Sequence, residues 1–142
     1  MISHAVRWVS LTILLCVAGC GFVRDEVLDG PSRLVAIDIP EDMSLCRSIG
    51  TKGDCLGDGL PGPTVFQAGS NFQYIVFARH PRRGDEAPIR SVSEFYYISR
   101  QANEGDVRTP VSVSGPFNEF EYQQEKRRLQ LPEFSRVFAD LK

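Results

Sequence analysis

Histidine is scarce in this 142-residue chain, which has only His4 and His80. That scarcity removes much acid–base and nucleophile–histidine chemistry, because the general base of a neutral-pH enzyme is most often an imidazole. Motifs that carry a mechanism are missing too: there is no G-x-S-x-G elbow, no H-E-x-x-H pair and no Gly-rich phosphate loop. Asp54 and Asp58 beside Gly57 and Gly59 are the nearest approach to a calcium loop, but their spacing does not match the EF-hand template. No metal and no cofactor are expected. Eighteen carboxylates are present, yet nothing singles out two of them as a glycosidase pair. A basic excess is lacking as well. The net charge is −2, whereas nucleic-acid binders carry a surplus of Lys and Arg, so no nucleic-acid partner is expected. No apolar run reaches the roughly twenty residues of a membrane-spanning helix.

What the chain does have begins at its N-terminus. Arg7 supplies a positive flank, Val9 to Ala18 supply a short apolar stretch, and small residues precede Cys20, which is the layout of a secretory signal. Val17-Ala18-Gly19-Cys20 resembles the lipobox of bacterial lipoproteins. That resemblance implies cleavage before Cys20 and a covalent lipid on it, the only attached group expected. Two or three acyl chains at about 0.8 kcal/mol per buried CH₂ make a permanent anchor. The membrane is thus the first partner implied. Gly21, where enterobacterial lipoproteins kept at the inner membrane carry Asp, implies the outer membrane, facing the periplasm. The expected organisation is a signal over 1–19, a lipid-anchored tether over 20–31 and one domain over 32–142, with about 123 residues in the mature chain. Arg7 leaves with the signal, so the mature side chains carry 18 acids against 15 bases.

Of the four cysteines, Cys16 leaves with the signal and Cys20 takes the lipid, which leaves Cys46 and Cys55 as a pair in an oxidising compartment. Gly50 and Gly53 let the intervening chain turn back. A disulfide is the natural reading, reduced thiols the plain alternative, and a zinc site the weakest, since one histidine remains.

Strands are expected at 34–39, 64–67, 72–79, 94–99 and 111–114 from period-two alternation and turn chemistry, with room for a short one at 44–49 inside a Gly- and Pro-rich loop. Both faces of Tyr74-Ile75-Val76-Phe77 are apolar, so that strand is expected in the middle of its sheet. After Gly115-Pro116, Asn118 and Glu121 have the capping-box spacing, and Phe117 and Tyr122 the hydrophobic-staple spacing. Acids early and bases late follow the helix dipole. Phe134, Val137, Phe138 and Leu141 recur at helical spacing beyond Pro132 and predict a second helix. The fold class expected is therefore α+β: an antiparallel sheet of five to six strands packed by two C-terminal helices.

Tyr96-Tyr97-Ile98, then Gly115-Pro116-Phe117, Glu121-Tyr122, Arg127, Leu129 and Leu131-Pro132 resemble a small bacterial lipoprotein family of unknown function. In that family a tyrosine-rich strand leads to a Gly-Pro turn and a short acidic-aromatic helix. The likeness covers about residues 93–132 and the lipobox, and it assigns no catalytic residues. The chain departs from the family in the cysteine loop 46–55 and the arginine loop 79–90.

Arg79, Arg82, Arg83 and Arg90 are the candidate binding residues, because guanidinium forks suit carboxylates and phosphates and loops carry such sites. A solvated loop is the plainer reading of the same residues. His80 precedes a proline among charges and is a weak catalytic candidate. The function expected is binding without catalysis, of another envelope or secreted protein, for example immunity against a periplasmic toxin. An accessory role in envelope assembly or stress, and a small cell-wall or lipid hydrolase, are the alternatives.

Overall fold

A computed structural model of the chain describes residues 21–50, 53–100 and 110–142. The signal expected over 1–19, Cys20 and most of the polar loop after Arg100 lie outside the described residues. Two antiparallel sheets hold the rest. The first takes its strands in chain order, β1 (Arg24–Asp29), β2 (Ser32–Ala36), β3 (Ser44–Ile49) and β4 (Asp54–Leu56). The second has the spatial order β8 (Ser114–Phe117), β7 (Glu94–Ser99), β6 (Tyr74–Arg79), β5 (Val65–Ser70) and β9 (Arg136–Val137). One α-helix, α1 (Glu119–Leu129), and a 3-10 turn at Pro40–Asp42 complete the elements among the described residues.

Where the apolar pattern is strong, expectation and structure agree. β3 and β7 have the expected bounds, and β6 lies third of five, as a strand apolar on both faces must. Pairing of Phe77 with Tyr96 and of Val76 with Tyr97 sets the register. One face of β7 presents Phe95, stacked at 5.0 Å on Tyr122 of α1, and the other presents Tyr96, stacked at 5.0 Å on Phe77. Leu34, Ala36, Met43 and Leu45 around the first sheet join these residues in one buried cluster. The helix is built as its sequence requires: Asn118 Oδ1 accepts from the Glu121 amide and Glu121 Oε2 from the Asn118 amide, both at 2.9 Å. Phe117 stacks on Tyr97 and Tyr122 on Phe95, so the flanking aromatics pin the helix to β7.

The expected fold class is corrected. Among the described residues the protein is mostly β, with sheets of four and five strands and a single α-helix in place of one sheet under two C-terminal helices. Phe138 and Leu141 are buried as the helical spacing foretold, but an extended strap places Phe138 and a closing turn places Leu141, and Val137 is half exposed. Two features favour the strap. β5 would otherwise be an open edge, and β9 pairs with it at Gln67 and Ala68 while the Phe138 amide bonds the Phe66 carbonyl at 2.9 Å. Gly69, lacking a side chain, lets the Glu133 backbone cross directly over β5.

Residues 24–29, read as tether, form β1 and pair along β2. Their charges hid them: an edge strand needs little apolar surface, and here only Leu28 packs on the core. The strand expected at 111–114 falls on Ser114–Phe117 instead, so that only Ser114 is shared. Ile37 and Ile39, assigned to the first expected strand, lie beyond β2 and are exposed.

Both sheets share a polarity that matters below. One end gathers Gly21–Val23, residues 37–42, the loop 80–93 and the C-terminus, tied by Arg24 to Asp140, Arg82 to Asp42, and Arg90 to the Asp140 and Lys142 carbonyls. The other end holds the β1–β2 turn and the β5–β6 hairpin, where Arg100 pairs with Asp29 and donates to the Asn71 carbonyl.

Candidate functional site

The arginine loop connects β6 to β7, and the structure gives most of its guanidiniums to the protein itself. Arg79 Nε donates to Glu94 at 2.8 Å, the pair closing the cross-strand register between β6 and β7. Arg82 is 4% exposed and donates to Asp42 Oδ1 and to the Glu86 carbonyl, each at 2.6 Å. Burial pushes the Asp42 carboxyl up, but Arg82 and the Asp38 and Ile39 amides outweigh it and hold it below the usual carboxylate range. Arg90 reaches the Lys142 and Asp140 carbonyls at 2.9 and 3.0 Å and so fastens the C-terminus. Arg83 and Arg90 are exposed, and of the four only Arg83 has no hydrogen-bond or ion-pair partner among the described residues. The four do not converge on a common point.

His80 is buried at 3% exposure, stacked on Phe66 with ring centroids 4.2 Å apart. Its Nδ1 lies 2.8 Å from the Val92 carbonyl, which can only accept, so Nδ1 carries the proton. Nε2 has no protein partner. Among the described residues no hydroxyl, thiol or carboxylate is bonded to the ring, and its bond to Val92 and stacking on Phe66 tie the arginine loop to the core. Tyr122 is likewise fully buried with an unpartnered hydroxyl, and burial pushes its pKa upward.

Cys46 and Cys55 form a disulfide, with Cα atoms 5.6 Å apart, and join β3 to β4. Gly50 and Gly53, both at positive φ, flank the turn between them. Near this bridge a groove of about 400 Å³ is lined by Asp25, Val27, Arg33, Ser48, Gly50 and Gly53. Its guanidinium is already engaged, because Arg33 pairs with Asp25 through two nitrogens and donates to the Gly53 carbonyl. Among the described residues no group of three or more His, Cys, Asp or Glu side chains is placed to hold a metal ion. No helix among them is long and apolar enough to cross a membrane.

A different surface stands out on the outward face of α1. Asn118, Glu119, Phe120, Gln123 and Arg127 line an open groove of about 700 Å³. Phe120 is 70% exposed. Phe120, Gln123 and Arg127 form one stripe at helical spacing, while Tyr122 and Leu129 point to the core. Sequence reasoning had the signal for this site: Phe120 is about 200° around the helix from Tyr122, so an apolar residue there cannot reach the sheet. Comparison with protein-family models, with curated proteins and with solved structures finds no match to the chain.

Proposed function

We propose that the protein is a lipid-anchored envelope protein, held by Cys20 at the outer membrane and facing the periplasm, that acts by binding another envelope or secreted protein without catalysis. The observation that carries the binding reading is Phe120, an aromatic side chain held out from a capped, aromatically pinned helix with Arg127 on the same stripe. Exposed aromatic and arginine side chains on a rigid element are the residues that dominate protein–protein binding energies. Preorganisation favours the same reading, because a helix already ordered loses little freedom when a partner docks. The anchor rests on the lipobox-like residues Val17 to Cys20, and the family likeness over 93–132 is compatible with it. Immunity against a periplasmic toxin is one role such a binder would fill.

Affinity capture with the full-length, membrane-extracted protein tests this, run in parallel with Phe120→Ala and Arg127→Glu. The expected result is one stoichiometric partner, retained by the parent protein and lost by both variants, neither of which disturbs the fold. A partner retained equally by all three would overturn the α1 surface. Turnover of a cell-wall or lipid substrate by the purified protein would overturn the non-catalytic reading.

A further inference from the structure

The chain leaves its proposed lipid with almost no slack. Because β1 begins at Arg24, only Gly21, Phe22 and Val23 separate Cys20 from the first strand, a span of roughly 11–14 Å at full extension. Val23 is itself tied down, its amide bonding the Ala36 carbonyl at 2.8 Å. The end of the domain from which these residues emerge is also where exposed apolar side chains collect. Phe22, Val23, Ile37, Ile39, Ile89 and Val92 are all between 38% and 55% exposed, on segments joined by the Arg24–Asp140, Arg82–Asp42 and Arg90–Lys142 contacts. At this end Arg24–Asp140 and Arg82–Asp42 pair, while Asp38, Arg83, Asp85 and Glu86 are exposed; basic and acidic side chains nearly balance, so the net charge there is small.

We infer that this end of the domain seats directly on the bilayer, with Val23, Ile37 and Ile39 in the interfacial region of the lipid. The inference rests on the lipid-anchor reading and deepens it: the protein is a seated domain of fixed orientation, not a ball on a string. The occupant is lipid because the anchor is two residues from Phe22 and any protein docking there would have to displace the bilayer from it. With the local charges nearly balanced in sign, seating draws on apolar burial, as for interfacial side chains that enter 5–10 Å into the headgroup boundary, and depends little on salt. It also turns the β5–β6 hairpin, some 20 Å away along β1, toward the periplasm.

The chain's one tryptophan is Trp8, within the signal, so the mature protein accepts single-tryptophan reporters without background. Ile39→Trp and Phe72→Trp proteins, acylated in cells and reconstituted into phosphatidylcholine vesicles with or without brominated chains, report proximity to lipid. The expected result is about a twofold loss of Ile39→Trp emission in brominated vesicles and none for Phe72→Trp, unchanged at high salt. Adding Val23→Asp and Ile37→Asp to the Ile39→Trp protein is expected to abolish the quenching while the protein stays membrane-bound. No quenching of Ile39→Trp on a bound, acylated protein overturns the seat and leaves the anchor standing. Equal quenching of Phe72→Trp overturns the orientation, and quenching that needs anionic lipid and vanishes in salt overturns the apolar cause. A protein carrying no acyl mass at Cys20 overturns anchor and seat together.

Discussion

Arg82 is the residue on which the reading of the arginine loop turns. Its side chain is 4% exposed and that of Asp42 24%, and the two groups lie 2.6 Å apart. Removing one partner of a fully buried pair costs about 3–5 kcal/mol, whereas exposed pairs contribute below about 1 kcal/mol. Asp42 is partly wet and keeps the Asp38 and Ile39 amides after Arg82 is gone, so Arg82→Met should cost about 2–3 kcal/mol. For a domain of this size that lowers Tm by roughly 8–12 °C. Asp42→Asn and the double variant complete a cycle, and urea midpoints should give a coupling of about 1–2 kcal/mol. Arg83→Met, which breaks no contact, should change stability by less than about 0.5 kcal/mol. An Arg82→Met loss under about 0.5 kcal/mol with no measurable coupling would refute the reasoning and return Arg82 to the candidate ligand-binding groups.

Other consequences are equally direct. Reducing Cys46–Cys55, nine residues apart in sequence, should cost about 2–3 kcal/mol by loop entropy, read as a lower urea midpoint in dithiothreitol with the native spectrum retained. Asp29 is held below the usual carboxylate range by Arg100, Asp140 by Arg24, and Asp42 by Arg82 and two amides against its burial. Lowered folded-state values mean that their stabilisation is complete above about pH 5 and is lost as pH falls through 4 and below, so unfolding midpoints should be flat from pH 8 to about 5 and then drop. Tyr122→Phe removes a buried hydroxyl that has no protein partner and should raise stability by about 0.5–2 kcal/mol; a loss of that size would show the hydroxyl to be bonded. Gly69→Ala puts a methyl group into the Glu133 backbone and should cost about 1–3 kcal/mol, with faster hydrogen exchange at the Phe138 amide that bonds Phe66.

Local chemistry made some of this legible in the sequence. Asn118 and Glu121 specify a helix start through bonds only a few residues long, and the structure forms both, while Phe117 and Tyr122 stack on Tyr97 and Phe95 of β7. The doubly apolar Tyr74–Phe77 run located the central strand for the same reason, and two cysteines with glycines between them located the bridge. Non-local pairing stayed hidden. β1 is charged and owes its conformation to the β2 backbone, and β9 has helical spacing but answers the open edge of β5. Nor could sequence say where the arginines of the 79–90 loop would turn, since the Asp42, Glu94 and Lys142 acceptors are remote in the chain or across a strand pair. The α1 surface was legible in principle, because Phe120 is out of phase with Tyr122, but helical phase shows only that a side chain faces out.

The seated orientation and the envelope location depend on the proposed lipid at Cys20, and intact-mass spectrometry of the full-length gene product extracted from membranes tests it most directly. The account predicts a polypeptide beginning at Cys20 with the mass of two or three acyl chains added, and loss of both processing and membrane retention in Cys20→Ser. A mature chain cut elsewhere and carrying no lipid, or a Cys20→Ser protein that still sediments with membranes, would contradict it.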